Sequence, residues 1–200
     1  MRLYILSARR MVRTFGTVAL VGVGGLTTPA AGGAQEDPPE QDATEPPSVR
    51  CDAPEYRQFD FWVGEWEVRN PAGDLVGRNT IERILGGCAL HESWTGTNGS
   101  TGESFNIYDA RTGLWHQTWV DNSGRLLELD GGLEAGEMVL RGELETSDGG
   151  TTGQRITWTP ADDGSVRQFW ERSTDGGVTW TTIFDGTYRR VGEARDDAGS

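Results

Sequence analysis

The chain has 200 residues, a formal net charge of −13 and 35% hydrophobic residues, a composition that allows one acidic globular domain. The acidity argues against binding to nucleic acids and anionic membranes, because both carry charge of the same sign. The sequence contains no lysine, which excludes Schiff-base chemistry at a lysine and the phosphate-binding P-loop.

The first 34 residues have the pattern of a secretory signal peptide. They contain four arginines and no acidic residue, and the apolar run TFGTVALVGVGGL is followed by the small residues TTPAAGGA. A membrane anchor is the alternative, but the run is too short and too rich in glycine to span about 30 Å of hydrocarbon. We therefore expect export to the periplasm or the extracellular medium, with no membrane attachment after cleavage.

Residues 35–50, QEDPPEQDATEPPSVR, are acidic, rich in proline and free of aromatic residues, which predicts a disordered linker. The only two cysteines of the chain, Cys51 and Cys88, come after this linker. In an exported protein they predict one disulfide, whose loop of about 38 residues corresponds to roughly 3–4 kcal/mol of stability. Two free buried thiols are the alternative.

Between residues 51 and 191, short segments rich in Trp, Val, Ile, Thr and Phe are separated by glycine-containing turns. A turn every 8–12 residues or so is typical of all-β proteins. Ten strands are predicted, at 64–70, 74–85, 88–95, 103–108, 114–120, 125–130, 137–145, 153–159, 165–172 and 178–190. Such short connections require antiparallel neighbours, and closure of the meander removes both sheet edges. The sequence therefore predicts a lipocalin-like barrel over 51–191, with a β-sandwich as the alternative, and a disordered tail over 192–200.

Two short motifs mark the ends of this domain. At its start, FDFWVGEW (59–66) contains Gly64 and Trp66, and its first aromatic residues are expected to form a lid, with Asp60 capping the turn. Near its end, STDGGVTW (173–180) places Asp175 where its carboxylate can accept hydrogen bonds from turn amides. Trp180 is then expected to start the last strand and to fold over the hairpin.

These motifs resemble those of the calycin superfamily, which includes the lipocalins. The ordered set FDFWVGEWEV, FNIYD, WHQTWVD, DGG, STDGGVTW and FDGTY is similar to a family of small, mostly bacterial lipocalin-like proteins of unknown function. In calycin barrels the tryptophan of the first strand packs at the closed end beside an arginine of the last strand. The resemblance implies this arrangement for Trp66 and Arg189 or Arg190, of which we take Arg189 as the structural residue.

One face of the predicted strands combines large aromatic residues with polar side chains. Pointing inward, this face would form a pocket with aromatic walls, carboxamides and a carboxylate, which is typical of small-molecule sites. We favour this orientation because exposing so many tryptophans to water is costly. The predicted ligand-binding residues are Glu92, Trp94, Asn106, Tyr108, Gln117, Trp119, Gln168 and Trp170. The alternative is packing alone, in which the polar groups serve as partners of indole N–H groups.

Three functions are compatible with such a barrel. The first is binding of a small, partly apolar molecule, which is the predicted partner. The second is an enzyme of isomerase or hydrolase type, in which a buried Glu92 with a raised pKa acts as acid or base, assisted by Tyr108. The third is a structural or interaction module whose barrel is filled by side chains.

No metal ion or cofactor is predicted. The two histidines, His91 and His116, lack the further ligands that a zinc site needs. Nitrobindin-like barrels share the predicted architecture and bind haem through a histidine late in the chain, but residues 165–190 contain none.

Overall fold

Residues 51–192 are described here from a computed structural model. They form three short 3₁₀ turns, at Pro54–Arg57, Asp60–Trp62 and Leu85–Gly87, and ten strands. The strands are β1 (Gly64–Arg69), β2 (Leu75–Ile84), β3 (Ala89–Gly96), β4 (Thr101–Asp109), β5 (Leu114–Asp121), β6 (Leu126–Glu134), β7 (Glu137–Glu145), β8 (Thr151–Pro160), β9 (Val166–Ser173) and β10 (Thr181–Arg190). The predicted signal peptide, the linker and all but the first residue of the predicted tail lie outside the described residues. No helix within 51–192 is long and apolar enough to cross a membrane.

The ten strands form one closed antiparallel barrel. Each strand pairs with its neighbours in sequence, and β1 pairs with β10, so that Val68 lies opposite Tyr188. The predicted all-β meander barrel is therefore confirmed and the β-sandwich alternative is wrong, because the pairing of β1 with β10 leaves no open edge. The predicted last strand began too early, at 178, whereas β10 begins at Thr181.

Residues 51–63 pack across one end of the barrel. The predicted disulfide is confirmed, with Cys51 and Cys88 linked and their Cα atoms 5.0 Å apart. The guanidinium of Arg57 donates a hydrogen bond of 2.7 Å to the carbonyl of Cys51. The prediction that Asp60 caps its turn is wrong. Its carboxylate forms ion pairs with Arg57 and Arg83 instead. The segment is thus fixed to the barrel by one covalent bond and several polar contacts.

Aromatic side chains fill this closed end. Phe59 stacks on Trp62 with 4.8 Å between ring centroids and contacts Trp158 at 5.1 Å. The indole of Trp66 donates a hydrogen bond of 2.9 Å to the carbonyl of Trp62. All four side chains are fully buried. Burial of rings of this size is the main stabilising contribution to a small barrel.

Arg190, and not Arg189, is the arginine beside Trp66. Its guanidinium lies over the indole, 4.5 Å from the ring centroid. The expectation for Arg189 was wrong, because successive residues of a strand point to opposite faces. Arg189 instead lies on the outside, 3.5 Å from a carboxylate oxygen of Asp163. Gly64 has a φ of +147°, and any side chain at this position would collide with the Arg190 guanidinium.

The STDGGVTW motif forms the hairpin between β9 and β10. The carboxylate of Asp175 accepts hydrogen bonds from the backbone N–H of Thr179 at 2.9 Å, from its hydroxyl at 2.6 Å and from Ser173 at 2.8 Å. These hydrogen bonds, chiefly that from the Thr179 hydroxyl, lower the pKa of Asp175 to about 2. Trp180 precedes β10 rather than starting it, and its ring lies 4.2 Å from the guanidinium carbon of Arg155 on the outer wall.

Candidate functional site

The half of the barrel opposite the packed aromatic end contains an open cavity of about 700 Å³. Residues of the β1–β2, β3–β4 and β5–β6 turns, among them Asn70, Asn98 and Arg125, line its mouth. Its walls are mainly apolar and include Val76, Trp94, Trp119, Leu127, Ile156, Trp170 and Phe184. This volume and composition are those of sites for small organic ligands. A barrel filled by side chains, the third alternative from the sequence, does not describe this interior.

Two glycines make room for the indoles of the cavity wall. A Cβ atom at Gly77 would collide with the ring of Trp94, and one at Gly102 would collide with the ring of Trp119. Each ring therefore lies close against the backbone of a nearby strand instead of standing in the centre of the barrel. The space that these rings leave free is part of the cavity.

The strand face that combines aromatic and polar residues points inward, which is the orientation favoured from the sequence. On β4, Ser104 and Asn106 are buried, whereas Phe105 and Ile107 are 56% and 39% exposed. This arrangement is the reverse of the usual one, in which apolar side chains face the interior. Buried polar groups are costly unless they form hydrogen bonds, so the interior of β4 requires a hydrogen-bonding network.

Such a network crosses the inner wall at the floor of the cavity, and we call it the polar floor. It joins side chains from six strands in the order Gln168, Tyr188, Asn79, Glu92, Ser104, Asn106 and Gln117. Each link is a hydrogen bond between two side chains. Four members line the cavity itself, namely Glu92, Gln117, Gln168 and Tyr188. The cavity therefore has apolar walls and a polar base.

Glu92 is the only carboxyl group of the polar floor. Its Oε1 accepts a hydrogen bond of 2.7 Å from Asn79 Nδ2, and its Oε2 accepts one of 2.6 Å from the Ser104 hydroxyl. Both donors are uncharged, and within residues 51–192 no arginine or histidine forms an ion pair with Glu92. Burial raises the pKa of Glu92 to about 7, because the loss of hydration outweighs the two hydrogen bonds. Both protonation states are therefore accessible near neutral pH.

Tyr188 lies beside Glu92 in the polar floor and was missed in the sequence analysis. Its hydroxyl accepts a hydrogen bond of 3.2 Å from Asn79 and donates one to Gln168. Burial and the nearby Glu92 raise the pKa of Tyr188 well above 10, so the hydroxyl stays protonated. The alternation of Phe184, Gly186 and Tyr188 along one strand was the signal that could have placed this residue inside.

Six of the eight predicted ligand-binding residues line the cavity: Glu92, Trp94, Gln117, Trp119, Gln168 and Trp170. Asn106 does not line it, because this side chain is buried in the polar floor between Ser104 and Gln117. Tyr108 also lies elsewhere, at the closed end, with its ring 5.3 Å from that of Tyr56. Strand β4 runs from the mouth toward the closed end, so its later inward positions lie beyond the cavity.

The location of Tyr108 changes the catalytic hypothesis. Its ring packs against Tyr56 and, at 6.3 Å, against Trp115, and it has no contact with Glu92. The prediction that Tyr108 assists Glu92 is therefore wrong. The tyrosine near Glu92 is Tyr188 on β10. Asn79 links the two residues, because its side-chain amide donates hydrogen bonds to both.

One basic residue stands at the mouth of the cavity. Arg125 lies 3.6 Å from a carboxylate oxygen of Asp121, and its guanidinium carbon lies 5.6 Å from the ring centroid of Trp170. It is the only basic residue that lines the cavity in the described part of the chain. Turn residues carry no alternating pattern, so the position of Arg125 could not be predicted from the sequence.

The two histidines point away from the cavity. His91 lies 2.7 Å from Glu103, and His116 lies 2.9 Å from Asp130, all on the outer surface. Among residues 51–192, no group of three or more histidine, cysteine, aspartate or glutamate side chains is placed to hold a metal ion.

No protein-family model matches the chain, and no curated protein matches it. The cavity and the polar floor are therefore the features that indicate a function.

Proposed function

We propose that the protein is an exported binding protein that holds a small, partly apolar molecule inside its barrel. The observation that carries this proposal is the cavity of about 700 Å³, open at one end and lined by Trp94, Trp119 and Trp170. The apolar part of the ligand lies between these rings. Its polar end reaches the floor, where Glu92 and Gln117 provide hydrogen-bonding groups.

The division of the barrel into two halves supports a binding role. The closed half is packed by aromatic side chains such as Phe59 and Trp158, which is sufficient for a stable core. The open half keeps three indoles around empty space, which packing for stability alone does not require. Polar residues at the base then select the ligand, because a ligand that leaves them without partners is penalised.

Export is part of the proposal and is supported by two features. The N-terminal 34 residues have the pattern of a signal peptide, and the disulfide between Cys51 and Cys88 is typical of an oxidising compartment. The relationship to the lipocalin-like bacterial family is likewise proposed, from the ordered motifs that begin with FDFWVGEW.

Binding can be tested with N-phenyl-1-naphthylamine, an uncharged dye whose fluorescence rises in apolar surroundings. We expect saturable fluorescence enhancement with the wild-type protein. Trp170→Ala removes a cavity wall and should weaken binding about tenfold, the loss expected for one large apolar contact. Trp180→Ala is the matched control, because Trp180 lies on the outer wall. Absence of enhancement, or equal losses in both variants, would refute the proposal.

A second candidate function is proton transfer by Glu92. It is favoured by a carboxyl group that lines the cavity and whose burial raises its pKa to about 7, close to the optimum for a general base. A direct assay uses 5-nitrobenzisoxazole, in which a base removes the ring C–H proton while the N–O bond breaks to give a coloured phenolate. Glu92→Gln should abolish any accelerated reaction, and an unchanged rate in this variant would exclude Glu92 as the base.

A further inference from the structure

We infer that the ligand of the cavity is an organic amine, with an apolar or aromatic body held by the indoles and an ammonium group paired with Glu92. This inference rests on the proposed binding function and specifies its ligand class. It follows from the charges around the floor, the nature of the walls and the position of Arg125 at the mouth.

Glu92 lacks a cationic partner among residues 51–192. It is only 3% exposed, and its two hydrogen-bond donors, Asn79 and Ser104, are uncharged. A buried carboxylate normally pairs with a cation or a metal ion, because a lone buried charge is costly. Each carboxylate oxygen accepts one hydrogen bond here and retains capacity for another. An ammonium group entering from the cavity would supply the missing positive charge.

Neighbouring arginines do not serve this purpose. Arg155 is paired with Glu171 at 2.8 Å, and Arg167 is paired with Asp185 at 2.8 Å. Both arginines are thus already paired, the second with a carboxylate, Asp185, that also lines the cavity. The unpaired carboxyl group inside the barrel is therefore not part of a structural ion pair among the described residues.

The walls are suited to a cation with an apolar body. Trp94, Trp119 and Trp170 line the same cavity. Aromatic faces attract cations electrostatically and also contact apolar groups, and tryptophan is the strongest of the aromatic residues in this respect. Arg125 already occupies one such position, 5.6 Å from the ring centroid of Trp170.

The mouth does not favour an anion. Arg125 is the only basic lining residue within the described part of the chain, and its charge is balanced by Asp121 at 3.6 Å. The whole chain has a net charge of −13, so its field attracts cations and repels anions. The carboxyl group at the floor and the net charge therefore favour a cationic ligand, and the balanced charges at the mouth do not oppose it.

The groups facing Glu92 also predict a pH dependence. Asn79 on β2, Ser104 on β4 and Tyr188 on β10 are uncharged near neutral pH, while Glu103 on the outer side of β4 disfavours ionisation of Glu92. Of the other charged residues that line the cavity, Asp121 is balanced by Arg125, and Asp185 is paired with Arg167. Ionisation of Glu92 is thus the event that should control amine affinity between about pH 5.5 and 8.

The test is a calorimetric titration with three ligands that share a naphthyl body: 2-naphthylmethylamine, 2-naphthylmethanol and 2-naphthylacetate. At about pH 8 the amine should bind at least about tenfold more tightly than the alcohol, as expected for one buried charge-assisted hydrogen bond. The acetate should bind more weakly than both. At about pH 5.5 the preference for the amine should fall to about threefold or less, because Glu92 is then protonated.

Glu92→Gln should remove the preference for the amine over the alcohol at both pH values, because the variant has no carboxylate to pair with the ammonium group. Glu128→Gln, on the exposed outer face of β6, makes the same change in net charge and should leave the preference intact. The inference is overturned if the alcohol binds as tightly as the amine, if the acetate binds best, or if the preference persists in Glu92→Gln. Failure of all three ligands and of N-phenyl-1-naphthylamine would refute the binding proposal itself.

Discussion

At the scale of single residues, Glu92 is the most informative position in the protein. It lies on the inner face of β3, carries the only carboxyl group of the polar floor and is held by two uncharged donors. Glu92 could be predicted from the sequence because it shares a strand face with Trp94. The same reasoning failed for Tyr108, because alternation gives the face of a residue but not its depth along the barrel.

The raised pKa of Glu92 has a measurable effect on stability. The carboxyl ionises near pH 4.5 in the unfolded chain and near pH 7 in the folded protein. Its protonated form therefore contributes its full stability below about pH 4.5, and this contribution is lost as the pH rises through about 7. Relative to Glu92→Gln, wild type should lose about 2–3 kcal/mol of unfolding free energy between pH 5 and pH 8.

Urea denaturation of the two proteins at several pH values measures this difference. Groups other than Glu92 titrate in both proteins and cancel in the comparison. Parallel stability curves for wild type and Glu92→Gln would show that Glu92 ionises normally and is accessible to water.

Gly102 provides a second prediction at the same scale. Its missing side chain makes room for Trp119, and a Cβ atom there would collide with the indole. Gly102→Ala should push the ring into the cavity and weaken binding of N-phenyl-1-naphthylamine about tenfold. Gly132→Ala on β6 is the control, since its new Cβ would meet no atom within 4 Å. Equal affinity in the two variants would mean that the Trp119 ring does not bound the site.

At the scale of the elements, the barrel has two ends with different tasks. The closing segment, residues 51–63, packs aromatic rings into one end and is attached by the disulfide between Cys51 and Cys88. The opposite end carries the turns that surround the cavity mouth. Substitutions at the closed end should therefore affect stability, and substitutions in the open half should affect ligand binding.

Replacing both Cys51 and Cys88 by serine tests this separation. Loss of the cross-link should reduce the unfolding free energy by roughly 3–4 kcal/mol, because the unfolded chain gains conformational freedom. Binding of N-phenyl-1-naphthylamine by the folded double variant should change less than about threefold, since the disulfide lies at the closed end. A large loss of affinity in protein that remains folded would contradict this division.

The number and order of the strands were the structural features that the sequence predicted best. Regular turns and alternating strands predicted ten strands, and residues 51–192 form ten. The register between strands could not be predicted in the same way. It determines which inward-facing residues contact one another across the barrel. Tyr188 and Asn79 are 109 positions apart in the chain, and only the closing contact of β10 with β1, which itself lies beside β2, brings them together.

At the scale of the whole molecule, the central claim is that the open half of the barrel binds a small ligand whose polar end contacts Glu92. The closed sheet provides a rigid wall, the packed end provides stability, and the remaining space is about 700 Å³. The acidic net charge and the absence of lysine are compatible with many functions, so the proposed function depends on the interior of the barrel.

The most direct test is a crystal structure of the protein grown with 2-naphthylmethylamine at about pH 8. We predict density for the naphthyl group between Trp94, Trp119 and Trp170, with its nitrogen within about 3.2 Å of a Glu92 carboxylate oxygen. A barrel centre filled by side chains, or a ligand bound on the outer wall, would contradict the account.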